Sequence, residues 1–212
     1  IVMEFSQFTP SEFRDICDSL AAKDKDIKNI LDRYDYPPFW SRPNTFETLV
    51  HIILEQQVSI ASALATLNKL KGYVGEITPE RILNLSDEEL RACYFSRQKT
   101  AYVKHLAQAL LDKQIDLEKL ETQSDDAIRT TLSQLKGIGN WTIDIYLIFV
   151  LKRSDIFPIG DLAAVNALKQ LKNIPKETPR EVLMEKTAYW QPFRTVATML
   201  LWHYYLSLRA KK

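Results

Sequence analysis

Apolar residues recur along this chain at spacings of three and four, and that period commits it to helices. In "TFETLVHIILEQQ", Phe46, Leu49, Val50 and Ile53 fall at i, i+3, i+4 and i+7, one face of a helix. "SIASALATLNKLKG" opens on Ser59, a suitable N-cap, and closes on Gly72. "SDEELRACYF" sets Ser86 three residues before Glu89, the spacing of a capping box. "SRQKTAYVKHLAQALL" and "SDDAIRTTLSQL" open in the same style on Ser96 and Ser124. The pattern continues through "NWTIDIYLIFVL", "DLAAVNALKQL", "PREVLMEKTAYW" and "FRTVATMLLWHYYLSL". Sustained alternation and Asn-Gly or Asp-Gly hairpin turns are absent, so no strand is expected. The predicted fold is all-α.

With 212 residues, the chain can build one or two domains, each with its own core. No apolar run approaches the roughly 20 residues of a membrane span, so no membrane partner is expected. The opening "IVMEFSQFTP" has no basic region followed by an apolar stretch, so no secretion signal is expected. Cys17 and Cys93 are too few for a disulfide framework or a four-cysteine iron–sulfur cluster, and an intracellular address follows. His51, His105 and His203 show no metal-ligand spacing, so no metal is expected on side chains. P-loop, dinucleotide and G-x-S-x-G fingerprints are missing.

The net charge of +1 hides a split. Residues 129–212 carry 13 Lys or Arg against 6 Asp or Glu, while residues 1–128 carry 15 against 21. Uneven helical surfaces produce such asymmetry without any ligand, and so does contact with nucleic acid by one part of a chain.

Only 5 glycines are present, yet Gly137 and Gly139 stand one residue apart in "QLKGIGNWT". Glycine is costly inside a helix and favoured at a left-handed cap, so one helix must end before Lys136-Gly137. A new helix must begin by Asn140 or Trp141, with Ile138 plugging the space between the two. Glycines lack side chains, so an outside group can approach the backbone N–H donors, and the start of the second helix favours an anion. A phosphate fits such a site, which would contact the DNA backbone without reading bases. A tight turn between helices with no ligand fits glycine-x-glycine equally well.

The full string Leu135-Lys136-Gly137-Ile138-Gly139, flanked by helices, resembles the helix-hairpin-helix of DNA-repair proteins. Further on stands "DIFPIGDLAAVNAL", and the pair resembles the helix-hairpin-helix (HhH-GPD) DNA glycosylase superfamily, whose hairpin precedes a Gly/Pro-rich loop and an essential aspartate. "FETLVHIILEQQVSIASA" is similar to the segment that invades DNA, and "WQPFRTVATMLLW" to the C-terminal helix, of the 3-methyladenine-DNA glycosylase II branch. The resemblance covers roughly residues 40–205. It implies a two-lobed helical protein with its active site in the cleft between lobes. Residues 45–153 would form a middle lobe ending in the hairpin, and residues 1–44 and 154–212 a discontinuous second lobe. Some members of this branch also carry an N-terminal β domain, for which the stretch before the match is too short, so a compact version is expected.

The matching aspartate is Asp161, which also suits N-capping of "LAAVNALKQL". The resemblance makes it the catalytic carboxylate, held ionised at a helix N-terminus against positive charge on the deoxyribose. Trp190 matches the position lining the base pocket, with Trp141 and Tyr146 beside it. The family often has Tyr four residues after the hairpin tryptophan; here that residue is Ile145. In bifunctional relatives a lysine occupies the position of Trp141 and forms a Schiff base. Tryptophan cannot be a nucleophile, so a monofunctional enzyme is expected. Gln57 matches the wedge that fills the gap left by a flipped nucleotide. Gly137, Gly139, Thr142 and Lys136 would bind the DNA backbone. The expected partner is double-stranded DNA containing alkylated bases, met by a monomer. No cofactor is expected, though such hairpins can hold a monovalent cation on backbone carbonyls. The expected address is the cytoplasm or nucleoid of a bacterium, or a eukaryotic nucleus. Two rival readings stay open: a non-catalytic hairpin DNA-binding protein, and a glycosylase for oxidised or deaminated bases.

Overall fold

A computed structural model describes residues 6–210. Among them, thirteen α-helices follow in order: α1 Phe13–Lys23, α2 Lys25–Tyr34, α3 Phe46–Glu55, α4 Ile60–Val74, α5 Pro79–Asn84, α6 Asp87–Ala92, α7 Arg97–Leu111, α8 Leu117–Leu120, α9 Asp125–Leu132, α10 Asn140–Phe149, α11 Leu162–Leu171, α12 Arg180–Thr187 and α13 Arg194–Ala210. A short 3₁₀ turn, Ala188–Trp190, joins the last two. The described residues contain no strand, only an isolated bridge between Gln7 and Arg153, so the chain is all-α as expected. No helix among them is long and apolar enough to cross a membrane.

The helix starts follow the local chemistry. Ser59, Ser96 and Ser124 each accept a hydrogen bond from the backbone three residues on, and Ser86 with Glu89 closes a full capping box. Each such cap contributes about 1 kcal/mol. One stop differs from expectation. Helix α4 runs through Gly72 to Val74 and ends on Gly75, whose φ of +73° provides the left-handed turn and whose N–H bonds the Lys71 carbonyl.

Two compact units emerge, one from residues 1–41 and 147–212, the other from residues 42–146, the division falling within α10. In the first unit α13 is central and packs against α1, α2 and α11. Its Val196, Ala197, Met199, Leu200 and Leu201 are fully buried, and each large aliphatic contributes roughly 1.5–3 kcal/mol. In the second unit α3 packs on α4 and α7, and α7 on α5 and α6. Helix α3 is apolar nearly all round, with Leu49, Val50, Ile52 and Ile53 at zero exposure, as a central helix must be. Its C-terminus receives the Lys99 ammonium, which donates to the Leu54 carbonyl at 2.6 Å. Desolvation lowers the pKa of that lysine.

Candidate active site

The hairpin lies in the second unit. Helix α9 ends at Leu132, the chain turns through bonds from Leu135 N–H to Leu132 and from Ile138 N–H to Leu135, and α10 begins at Asn140. Ile138 is buried, the plug that its position suggested. The two glycines do different work. Gly137 sits at φ +85°, and a Cβ there would run into the Tyr102 ring. At Gly139 a Cβ would meet nothing within 4 Å, so its surface is open. The N-terminus of α10, which begins just after Gly139, carries the helix's partial positive charge. Lys136 is exposed alongside. A partly buried ion pair ties the hairpin helices together, Arg129 to Asp144 at 2.6 Å. Burial nonetheless leaves the Asp144 pKa raised, against the pull of Arg129.

Thr142 departs from what the sequence suggested. Thr142 is buried, and its hydroxyl accepts from the Gln56 amide at 2.9 Å, so its side chain does not face the surface that would meet a phosphate. The same amide donates to the Gly137 carbonyl at 2.8 Å. Among the described residues no group of three or more His, Cys, Asp or Glu side chains is arranged for a metal. Gln57 next door is exposed and takes the left-handed φ of +58°.

Asp161 lies in the first unit. Bonds from Ile159 N–H to Phe157 and from Asp161 N–H to Pro158 fold the "FPIGD" turn, and Asp161 then caps α11. Its Oδ1 accepts from the Ala164 N–H at 2.8 Å and from the Trp202 indole N–H at 3.0 Å. Two donors from separate helices thus fix the carboxylate's orientation. Trp202 stacks on Phe149, centroids 5.2 Å apart. The tie between Trp202 and Asp161 spans 41 residues and leaves no local trace in the sequence. The residue after Asp161, Leu162, is the most exposed large apolar residue of those described, at 77%.

The aromatics proposed for the base divide by burial. Trp190 is 1% exposed; its indole donates to Asp24 at 2.8 Å, and the Lys172 ammonium stands 5.8 Å from its ring centre. The ring is thereby enclosed in the first unit's core and presents no face to a base. Tyr146 is fully buried, its hydroxyl donating to Asn44 at 2.8 Å. Trp141 alone of the three keeps part of its surface. The Trp190 network is built on Asp24, which caps α2 through Asp26 and Ile27 and binds Lys172 at 2.7 and 2.8 Å.

The family model described as HhH-GPD superfamily base excision DNA repair protein matches residues 50–192. DNA-3-methyladenine glycosylase 1 of Schizosaccharomyces pombe is 34% identical over 182 residues, which span 84% of this chain and 80% of that protein. The alkylbase DNA glycosidase-like protein mag2 of the same yeast is 31% identical over 162 residues, 74% of this chain and 76% of its own length. Among solved structures, the Schizosaccharomyces pombe 3-methyladenine DNA glycosylase in complex with abasic DNA superimposes with a TM-score of 0.82 at 31% identity, covering 89% of this chain and 95% of that one. A hairpin left open at Gly139, a doubly held aspartate in the loop that follows, and relatives of this closeness leave one conclusion: the chain belongs to the HhH-GPD superfamily of base excision DNA repair proteins.

Proposed function

We propose that this protein is a monofunctional DNA glycosylase that hydrolyses the N-glycosidic bond of alkylated purines of the 3-methyladenine type in duplex DNA. The observation that carries the reading is Asp161, a carboxylate at a helix N-terminus with one oxygen anchored by Ala164 and Trp202. As the bond from C1′ to the base nitrogen breaks, the base leaves with the electron pair and positive charge grows on the sugar. Asp161 offsets that charge; a unit negative charge about 4 Å away is worth roughly 4 kcal/mol at an effective dielectric near 20. Water adds to C1′ and gives up a proton, leaving an abasic site.

An alkylated purine carries its own positive charge, so it departs without strong acid catalysis and suits an electron-rich ring face. Trp141, with part of its surface exposed, is the aromatic we assign to that stacking. It offers no nucleophile, so the strand stays intact. Gln57, exposed on its turn, fills the gap left in the duplex, and the N–H groups around Gly137 and Gly139 hold a phosphate beside Lys136. An enzyme on such a substrate works where DNA is kept, in a nucleoid or a nucleus.

The test is free-base release from duplexes bearing 3-methyladenine, 7-methylguanine, or oxidised or deaminated bases. Methylated purines should be released, with strand breaks appearing only after alkali. Asp161→Asn should lose about a thousandfold in single-turnover rate, the equivalent of the charge term, while binding duplex within about threefold of the parent. Undiminished release by Asp161→Asn would overturn the assignment.

A further inference from the structure

The two adjacent glutamines of the α3–α4 turn have opposite fates. Gln56 (φ −60°, ψ 120°) is half-buried, while Gln57 is exposed at a φ of +58°. That left-handed value is uncommon for a residue with a side chain, and it persists only where the surroundings hold it. Part of the hold is local, since Gln56 N–H bonds the Ile53 carbonyl at 3.2 Å. The rest comes from far along the chain. The Gln56 amide reaches Gly137 O, 81 residues away, at 2.8 Å and Thr142 Oγ1, 86 residues away, at 2.9 Å.

Helix α7 braces the same junction from a third side. Lys99 donates to the Leu54 carbonyl just before the turn, and one helical turn on, Tyr102 closes over Gly137. Its hydroxyl is held by Gln98 at 2.6 Å. Every one of these groups belongs to the unit formed by residues 42–146.

We infer that Gln56 is a positioning residue that locks the turn carrying Gln57 to the phosphate-binding hairpin, so that gap-filling and backbone anchoring act as one rigid piece. The inference rests on the glycosylase reading above. Its physical content is a distance. If Gln57 is to enter the stack while the hairpin grips the backbone a fixed number of nucleotides away, the two must not drift apart. The Gln56 amide is the direct link between them. Without it, the left-handed conformation of Gln57 has lost two of its supports and the turn relaxes, which shifts the population of the competent turn by roughly 10- to 30-fold for two modest hydrogen bonds.

Gln56→Met tests this, because methionine keeps the length and bulk of glutamine and loses the donor. Four measurements are needed: the melting temperature, base release under single turnover, affinity for undamaged duplex, and fluorescence of 2-aminopurine placed beside a tetrahydrofuran abasic analogue, which reports unstacking with no chemistry. Gln56→Met should slow base release about 10- to 30-fold and lose most of the fluorescence rise, with undamaged-duplex affinity close to the parent's and the melting temperature lowered by roughly 3–8 °C. Gln57→Ala should then cost little more in the Gln56→Met background, because a wedge already out of place has little left to lose.

Thr142→Val, which deletes one of the two acceptors from the hairpin side, should reproduce a three- to tenfold part of the loss, about one hydrogen bond's worth. It keeps the question answerable if Gln56→Met folds poorly. Full multiplication of the Gln56 and Gln57 effects would overturn the coupling, as would losses of rate and undamaged-duplex affinity in equal measure. A parent protein that raises the fluorescence yet releases no base would instead count against the glycosylase reading.

Discussion

Trp190→Phe separates a structural role for this residue from the base-pocket role its place in the sequence suggested. The indole is 1% exposed and its N–H donates at 2.8 Å to Asp24, itself only 4% exposed. Asp24 also accepts from Asp26 N–H at 2.9 Å and from the Lys172 ammonium at 2.7 and 2.8 Å. Burial alone would push the Asp24 pKa up, but Lys172 and Trp190 outweigh it and the net shift is downward. Phenylalanine deletes one hydrogen bond to a charged group, worth about 1.5–3 kcal/mol, and leaves a ring-sized gap worth about 1–2 kcal/mol more. The carboxylate keeps its other donors, so the sum comes to about 3 kcal/mol. For a chain of this size each kcal/mol moves the melting temperature by roughly 2–4 °C, which predicts a fall of roughly 6–12 °C. Base release at 20 °C, measured under single turnover and scaled to folded protein, should stay within about threefold, less than 1 kcal/mol of barrier. Asp24→Asn should destabilise by about 1–3 kcal/mol, discounted because Lys172 is partly exposed and retains Asp26 at 2.8 Å. An unchanged melting curve with a large loss of rate or lesion affinity would return Trp190 to the base and refute the reasoning.

Gly137→Ala should unfold or distort the hairpin, since both the φ of +85° and the Tyr102 ring exclude a side chain, whereas Gly139→Ala should fold normally and weaken DNA binding about tenfold by blocking a phosphate's approach, roughly 1.4 kcal/mol. Circular dichroism and duplex titration on the pair distinguish the two effects; equal melting temperatures would contradict the geometry. Asp24 and Asp155 both carry lowered pKa values, Asp155 because Arg194 outweighs its burial. The native state therefore binds fewer protons than the unfolded chain; the stabilisation is complete above about pH 4 and drains as pH falls through the depressed values. Urea titrations from pH 6 downward should show that loss flattened by Asp155→Asn. Asp144 runs the other way, its pKa raised by burial, so Asp144→Asn should steepen the acid loss; a flattening would reverse the sign argued here. Trp202→Phe keeps a ring against Phe149 and removes the second donor to Asp161, and should slow base release by folded protein about tenfold and lower the melting temperature by roughly 3–12 °C, as expected for losing one hydrogen bond to a charged group, about 1.5–3 kcal/mol.

What the sequence reveals and what it conceals divide by range. Caps at Ser59, Ser86, Ser96, Ser124 and Asp161 are bonds within three residues, so the local string contains both partners. The hairpin is legible for the same reason: the stop, the plug and the restart are consecutive. Even at short range, competition misleads. Gly72 and Gly75 both offer a left-handed stop, and the helix takes the later one, adding a turn that brings the Tyr73 hydroxyl to Glu89 at 2.7 Å. At long range the string is silent. Trp190 matches a pocket position, yet its fate is decided by Asp24, 166 residues away. Gln56 and Gln57 are the same residue in adjacent places, and only the distant Gly137 carbonyl and Thr142 hydroxyl tell them apart. A motif therefore specifies which chemistry is available, whereas pairs remote in sequence decide which of its side chains remain free to perform it. In this chain the consequence is concrete: a family pattern that proposes Trp190 for the base is met by a fold that spends that ring on its own core, while Trp141 and Gln57, which we assign to the base and the gap, keep a surface exposure that no local pattern could assign.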